Sequence, residues 1–278
     1  MGMKEKSVIS LLFLIGIIYI NAVPVYAAYA EGPCTQNGYT KDVLNTEKQP
    51  SDDYGKSVMR GRSGLSEVSQ EDINSWFNDA VFVGDSITQG LENLVKYKRK
   101  NGGQVLGNAS FLAATSYSLS TAAGNFNSSR INLKYNGQSM DIADALRLIN
   151  PEKIFIMIGV NDLPCYDIEG NLAVYSKLAD KLKSACPNSY IVIESCTPIT
   201  ASGQKKGLTN TGMDSFNSGL RRIAHEKGCG FADISTPLKN AENALSPEYS
   251  SDKYVHLSNK GIEIWIDTLE NYAKDQLL

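Results

Sequence analysis

The chain has 278 residues, with 27 Lys and Arg against 30 Asp and Glu, so its formal net charge is −3. Hydrophobic residues make up 42% and charged residues 21% of the sequence, proportions that suit a globular core and exclude a disordered chain. An isoelectric point near 5.5 argues against a dedicated nucleic-acid-binding protein. Two histidines and five scattered cysteines argue against zinc fingers.

The first 30 residues have the order of a secretory signal peptide. Lys4 and Lys6 give a positive start, an apolar run follows at 8–20, and small residues close the segment at Ala27 and Ala30. A membrane-spanning helix needs about 20 apolar residues, and this run is shorter. The short length favours cleavage of the segment over its retention as an anchor. We therefore expect a secreted or cell-surface protein without stable membrane insertion after signal cleavage.

Residues 31–64 are polar and show no periodicity, so they predict a poorly ordered spacer ahead of a domain at 65–278. Export would permit disulfide bonds among the later cysteines, but their spacing is not that of a disulfide framework. Free thiols, packed as small apolar side chains, are the preferred interpretation for the cysteines of the domain. These are Cys165, Cys186, Cys196 and Cys229.

Within this domain, secondary-structure signals begin at Ser69, which with Asp72 forms the pattern of a helix start. Continuous apolar runs predict strands buried on both faces, as in a parallel sheet, at 80–83, 109–114, 154–158, 190–193 and 230–234. Amphipathic stretches predict helices at 91–100, 141–149, 171–186, 213–227 and 258–277. The alternation predicts a three-layer α/β/α domain with a five-stranded parallel sheet. Residues 115–139 and 201–212 interrupt the pattern, as segments that border a site often do.

Polar clusters lie where the strands of such a sheet would end. Asp85 and Ser86 follow the first strand, Asn161 and Asp162 follow the third, and His256 precedes the last helix. Ligands of open parallel sheets bind outside the carboxyl ends of the strands. Each cluster alone is typical of a turn or a helix cap, and a lone histidine is more often structural. Together, a hydroxyl, an amide and an imidazole in this order indicate acyl transfer.

These motifs resemble those of the SGNH/GDSL hydrolase family over residues 80–277. The resemblance implies that Ser86 is the nucleophile and that His256 is the base. It also implies three oxyanion donors: the backbone N–H groups of Ser86 and Ser116 and the side-chain amide of Asn161. The carboxylates beside the nucleophile and the amide would support the site: Asp85 and Asp162. The family's fold, a flavodoxin-like five-stranded parallel sheet, agrees with the five apolar runs.

Two positions depart from the family's pattern. Ser116 occupies the place of a glycine, which leaves a backbone N–H available. The family's aspartate lies three residues before the histidine, where this chain has Lys253, whereas Asp252 lies four residues before His256. The partner of the base is therefore Asp252, Glu248 or a backbone carbonyl in a Ser–His dyad. Asp252 is preferred, because an imidazolium that forms in a partly dry site benefits from a nearby anion.

The resemblance implies a serine esterase that works through an acyl-enzyme and needs no metal or organic cofactor. Members of the family often remove acetyl groups from carbohydrates. The expected partner is therefore an ester substrate, first of all an O-acetylated polysaccharide or cell-wall glycan. A lipid acylhydrolase and a non-catalytic glycan-binding domain on the same fold are the alternatives, and no nucleic-acid partner is expected.

Overall fold

The computed structural model describes residues 67–278 of the chain. The predicted signal peptide at 1–30 and the predicted spacer at 31–64 lie outside the described residues, as does the expected start of the domain at residue 65. Within the described part, none of the helices combines the length and the apolar character needed to cross a membrane.

Five parallel strands form the central sheet, which confirms the prediction from the apolar runs. The strands in chain order are β1 (Ala80–Gly84), β2 (Ser110–Ala113), β3 (Leu133–Tyr135), β4 (Gln138–Met140), β5 (Lys153–Met157), β6 (Tyr190–Glu194) and β7 (Gly230–Ala232). The sheet has the order β2-β1-β5-β6-β7 with all pairs parallel, while β3 and β4 form a separate antiparallel hairpin. The sequence does not predict this hairpin, because its strands are short and mostly polar.

Helices and short 3₁₀ turns connect and cover the strands. The helices are α1 (Gln70–Trp76), α2 (Ser86–Lys100), α3 (Leu119–Ala123), α4 (Ile142–Ile149), α5 (Ile168–Ala185), α6 (Asn210–Lys227) and α7 (Asn259–Leu277). The 3₁₀ turns are Ala201–Gly203, Thr236–Leu238 and Pro247–Tyr249. Ser69 and Asp72 form the predicted capping box of α1. In contrast, α2 begins five residues earlier than the predicted 91–100, because Ser, Thr and Gly in its first turns hide the amphipathic pattern.

Aromatic side chains fill the middle of the core, and one of them contacts a buried carboxyl group. Phe82 of β1 and Phe155 of β5 stack with ring centroids 4.7 Å apart. Trp265 of α7 donates its indole N–H to Glu194 Oε1 at 2.8 Å, at the carboxyl end of β6. Burial raises the pKa of Glu194 to about 8. The side chain is therefore mostly protonated at pH 7, and it joins α7 to the sheet without burying a charge.

Replacing Glu194 by glutamine should remove a pH dependence of the folding stability. The folded protein keeps the proton of Glu194 up to about pH 8, whereas the unfolded chain releases it near the ordinary pKa of 4.5. Between these values, each added pH unit should lower the free energy of unfolding of the natural protein by about 1.4 kcal/mol more than that of Glu194→Gln. Urea unfolding at pH 5 to 8 measures this difference. The exposed Glu242→Gln serves as the matched control, and parallel curves for Glu194→Gln and the natural protein would contradict the prediction.

The cysteines of the described residues fall into two groups. Cys186, Cys196 and Cys229 carry free thiols, and the first two are buried, as their packing as small apolar side chains predicts. Cys165, in the loop between β5 and α5, is disulfide-bonded. The prediction of a free thiol is wrong for Cys165. That prediction assumed that the cysteines pack in the core, whereas Cys165 lies in a surface loop and contributes little to the core.

Candidate active site

Neighbouring strands bring the predicted polar clusters to one edge of the sheet. β1 and β5 pair in parallel with Gly84 opposite Met157, so the segments that follow them leave the sheet side by side. After β2, the backbone N–H of Ala114 donates to the Gly84 carbonyl at 3.3 Å. The loop that carries His256 reaches the same edge, where the histidine contacts Ser86. This edge is formed by the carboxyl ends of the strands, where open parallel sheets bind their ligands.

Ser86 is the first residue of α2 and lies in the tight turn directly after β1. Asp85 caps the helix, because its Oδ1 accepts the N–H of Ile87 at 2.9 Å. Gly84 is required in this turn, since a β-carbon there would lie 2.5 Å from the Met157 carbonyl oxygen. At the first position of a helix, the Ser86 N–H has no intrahelical acceptor. It can therefore donate to an oxyanion formed next to its own side chain.

Ser86, His256 and Asp252 form a hydrogen-bonded row. Ser86 Oγ lies 3.0 Å from His256 Nε2, and His256 Nδ1 lies 2.6 Å from Asp252 Oδ2. The side chains of the histidine and the aspartate are 31% and 24% exposed, so the row is accessible from solvent. The other histidine, His225, is exposed in the last turn of α6 and is not part of this row. The row has the nucleophile–base–carboxylate order of a catalytic triad.

A left-handed residue accommodates the extra position between Asp252 and His256. Lys253 has a φ of 59°, and the resulting turn lets Asp252 Oδ1 accept the N–H of Tyr254 at 2.8 Å and that of His256 at 3.2 Å. The same carboxylate thereby shapes the loop and contacts the imidazole. Glu248, the alternative carboxylate, forms an ion pair with a lysine of α7 instead. The geometry favours Asp252 over Glu248 and over a backbone carbonyl as the partner of the base.

Ser116 lies in a tight turn that runs from Ala114 to Tyr117. The N–H of Tyr117 donates to the Ala114 carbonyl at 3.0 Å, and Ser116 has a φ of 58°. Glycine adopts this left-handed conformation without steric cost, and glycine is the residue that the resembled family has at this position. Among residues 67–278, the structure shows no acceptor for the backbone N–H of Ser116. This N–H is therefore available to an oxyanion.

The side-chain amide of Asn161 is held by two protein acceptors. Its Nδ2 donates to Asp85 Oδ2 at 3.0 Å and to the Tyr117 carbonyl at 3.1 Å. Gly159 is needed ahead of it, because φ is 129° there and a β-carbon would lie 2.7 Å from the Phe216 ring. The amide thus bridges the turns after β1 and β2. It can stabilise an oxyanion by sharing or exchanging one of these two hydrogen bonds.

Two buried carboxyl groups connect the loops around the row. Burial raises the pKa of Asp85 to about 6, although the backbone N–H of Ile87 acts in the opposite direction. Burial also raises the pKa of Asp162, whose oxygens accept two N–H groups at the start of α3, at 2.6 and 3.0 Å. Asp85 therefore orients the amide of Asn161, and Asp162 fixes α3 against the loop after β5.

The hydroxyl, imidazole, carboxylate and N–H donors at this edge fit acyl transfer. Within the described part of the chain, no group of three or more His, Cys, Asp or Glu residues is placed to hold a metal ion. One residue next to the row was not predicted from the sequence. Thr200 donates its hydroxyl to the Lys253 carbonyl at 2.6 Å, and a threonine outside any motif gives no sequence signal for such a contact.

The fold and this row define an enzyme of the carboxylic ester hydrolase class. Residues 82–264 match the model of the GDSL-like lipase/acylhydrolase family, and the chain belongs to this family. The structure is similar to a GDSL-like lipase from Bacteroides thetaiotaomicron, with 16% identity and a TM-score of 0.50 over 77% of this chain and 94% of the other. It is also similar to a carbohydrate esterase of family 3 from Talaromyces cellulolyticus, with 15% identity and a TM-score of 0.50 over 71% and 96%. A comparison with curated proteins finds no match.

Replacing Asn161 by alanine should lower kcat about 10²–10³-fold and leave KM nearly unchanged, because the amide is expected to act on the transition state. Steady-state kinetics with an aryl acetate measures both constants. Asn171→Ala is the matched control, since it removes a buried amide of α5 that also has two acceptors, here both backbone carbonyls, but lies outside the row. An increase in KM with unchanged kcat would assign Asn161 to substrate binding instead.

Proposed function

We propose that the enzyme is a serine esterase that removes acetyl groups from an O-acetylated carbohydrate or cell-wall glycan. The observation that carries this proposal is the open setting of the row, in which the side chain of His256 is 31% exposed. A nucleophile at an open edge can accept an acetyl group that is attached to a bulky polymer. A long acyl chain, by contrast, requires a largely apolar cleft that buries most of the ligand.

Polar side chains border the nucleophile. Gln89 lies one turn after Ser86 on α2, and the exposed Thr115 directly precedes Ser116. Thr115 Oγ1 donates to Gln89 Oε1 at 2.8 Å, which leaves the amide N–H bonds of the glutamine for other acceptors. Amide and hydroxyl groups of this kind suit the hydroxyls of a sugar. The shared fold of the Talaromyces cellulolyticus carbohydrate esterase supports the same substrate class.

In the proposed mechanism, Ser86 Oγ attacks the ester carbonyl while His256 Nε2 takes its proton. The imidazolium then returns this proton to the leaving alcohol, and an acetyl-enzyme remains. Water, deprotonated by the same imidazole, attacks the acetyl-enzyme. The imidazolium then returns the proton to Ser86 Oγ as the bond between Oγ and the acyl carbon breaks, which releases the acetyl group as acetic acid. Asp252 accepts the Nδ1–H throughout, which fixes the imidazole tautomer and stabilises the imidazolium.

Three N–H donors are proposed to stabilise the tetrahedral intermediate. The backbone N–H groups of Ser86 and Ser116 are available, and Asn161 exchanges one of its two protein acceptors for the developing oxyanion. The two backbone N–H groups are already oriented and need no reorganisation when the charge forms, so they act mainly on the transition state. Asn161 contributes as its amide turns from one of its protein acceptors to the oxyanion.

The experiment compares aryl esters of acetate, butyrate and decanoate, followed by acetate release from acetylated xylan and O-acetylated peptidoglycan. We expect kcat/KM to be highest for the acetate ester and acetate to be released from at least one polymer. Ser86→Ala, assayed in parallel, sets the background. A preference for decanoate without polymer deacetylation would indicate a lipid acylhydrolase. Polymer binding without hydrolysis of any ester would indicate a glycan-binding domain.

We also propose that the enzyme acts outside the cytoplasm, on the basis of the positive start, apolar run and small residues at 1–30. N-terminal sequencing of secreted material should give a start near Ala28 or Glu31. Recovery only in membranes, with residues 1–30 retained, would make this segment an anchor.

A further inference from the structure

The segment between β6 and α6 lies against the loop that carries Asp252 and His256. Thr200, which is buried in this segment, makes two hydrogen bonds to that loop. Its Oγ1 donates to the Lys253 carbonyl at 2.6 Å, and its backbone N–H donates to the Tyr254 carbonyl at 3.0 Å. One residue therefore fixes two successive peptide groups of the loop.

Thr200 is itself held by the start of α6. The preceding residue, Ile199, is bound on both sides by the buried amide of Asn210. Asn210 Oδ1 accepts the Ile199 N–H, and Asn210 Nδ2 donates to the Ile199 carbonyl, each at 2.8 Å. Thr200 Oγ1 also accepts the N–H of Gly203 at 3.1 Å. Because these bonds arise from a neighbouring helix and turn, Thr200 is a fixed support for the loop.

Lys253 needs such a support because of its backbone conformation. A φ of 59° is sterically disfavoured for any residue with a β-carbon. The lysine side chain is exposed, so it provides little packing to hold this conformation. The left-handed turn is nevertheless what brings Asp252, four residues before His256, to 2.6 Å from its Nδ1. The Lys253 carbonyl, which Thr200 binds, belongs to this same turn.

We propose that Thr200 is a positioning residue for the base: its hydroxyl holds the left-handed turn at Lys253 and thereby keeps Asp252 on His256. The inference rests on the proposed function, since it assumes that His256 is the base. Thr200 acts through the loop and is not placed at the reacting atoms. Its loss should therefore lower turnover without weakening substrate binding.

Steady-state hydrolysis of an aryl acetate tests this role with Thr200→Val, which keeps the shape of the side chain but removes the donor. We expect kcat to fall about tenfold or more, with KM within about twofold of the natural value. Thr200→Ser keeps the hydroxyl and should restore kcat to within about threefold. Natural kcat in Thr200→Val, or a serine variant as impaired as the valine variant, would overturn the proposal.

Thr268→Val is the matched control for loss of a hydroxyl. Thr268 donates to the Ile264 carbonyl at 2.7 Å within α7, so it makes a similar bond outside the loop. Its valine variant should keep the natural kcat. A tenfold loss here as well would show that such substitutions act through general stability and would overturn the assignment of Thr200.

The Asp252→Asn background shows whether Thr200 acts through the carboxylate. If it does, Thr200→Val should cost about tenfold in the natural protein but less than about twofold in Asp252→Asn, because the contact that it supports is already impaired. Equal losses in the two backgrounds would place the effect of Thr200 elsewhere and overturn the proposal.

Substitutions at the exposed Lys253 test the same turn without disturbing the buried threonine. Lys253→Gly should keep the natural kcat, because glycine adopts the left-handed conformation freely. Lys253→Val should lose kcat as Thr200→Val does, because a β-branched residue resists this conformation. Equal kcat for the two variants would overturn the role of the turn, even if Thr200→Val does not fold.

A readout that needs no substrate separates this proposal from the proposed function. The down-field proton NMR signal of the His256 Nδ1–H should be present in the natural protein and in Thr200→Ser. It should be lost or shifted in Thr200→Val and in Asp252→Asn. If no ester is hydrolysed but the signal depends on Thr200, the proposed function fails, while the role of Thr200 in keeping Asp252 on His256 stands. If esters are hydrolysed but the signal does not depend on Thr200, the proposed function stands and the positioning role of Thr200 fails.

Discussion

Replacing Ser86 by alanine should lower kcat for ester hydrolysis by about 10⁶-fold, the scale of nucleophile loss in serine proteases. The reason is that no acyl-enzyme can form without Oγ, which lies 3.0 Å from the imidazole that would activate it. Release of a chromophoric alcohol from an aryl acetate measures the loss. A serine-directed phosphonate should in addition label the natural protein once, at Ser86.

Ser215→Ala provides the control for Ser86→Ala. Ser215 is an exposed residue of α6 whose hydroxyl donates to the Thr211 carbonyl, away from the row, and its loss should leave kcat unchanged. Phosphonate labelling at a residue other than Ser86, or full activity of Ser86→Ala, would exclude Ser86 as the nucleophile.

Replacing Asp252 by asparagine should lower kcat on the order of 10⁴-fold, the scale at which a serine protease responds to loss of its buried aspartate. Asp252 Oδ2 lies 2.6 Å from His256 Nδ1, so the carboxylate selects the tautomer in which Nε2 can take the proton from Ser86. Steady-state kinetics with an aryl acetate measures the effect, and circular dichroism checks that the variant is folded.

Glu248→Gln is the matched control for Asp252→Asn. It changes the carboxylate that pairs with a lysine of α7, and exposed ion pairs of this kind contribute little, so kcat should stay within about twofold. A folded Asp252→Asn protein that loses less than about tenfold in kcat would exclude Asp252 from the site and leave a Ser–His dyad.

The sheet could be predicted from the sequence because its strands are buried on both faces. Phe82 and Phe155 lie within continuous apolar runs, and such runs mark the interior of a parallel sheet wherever they occur. The β3–β4 hairpin lacks this signal, because its short strands are only partly buried. The placement of Ser86, Asn161 and His256 at one edge of the sheet could be predicted, because they follow or precede recognisable elements and stand in motifs.

The contacts among these residues could not be predicted in the same way. The fit of Asp252 depends on a single backbone angle, at Lys253, and nothing in the local sequence favours a left-handed conformation for lysine. The contact between Asn161 and Asp85 joins residues 76 positions apart, through loops whose paths depend on the whole sheet. A polar contact of this kind depends on the tertiary structure, which patterns in short stretches of sequence do not reveal.

The row joins residues that are distant along the chain: Ser86 and His256 are separated by 170 positions. Contacts of such high sequence separation form after local structure, because closing a long loop must precede them. A partly folded or shortened chain can carry the serine turn on β1 and α2 and still have no imidazole beside it. On the proposed mechanism, the enzyme is therefore inert until the C-terminal segment is in place, and ester turnover reports completion of the fold rather than the presence of its early elements.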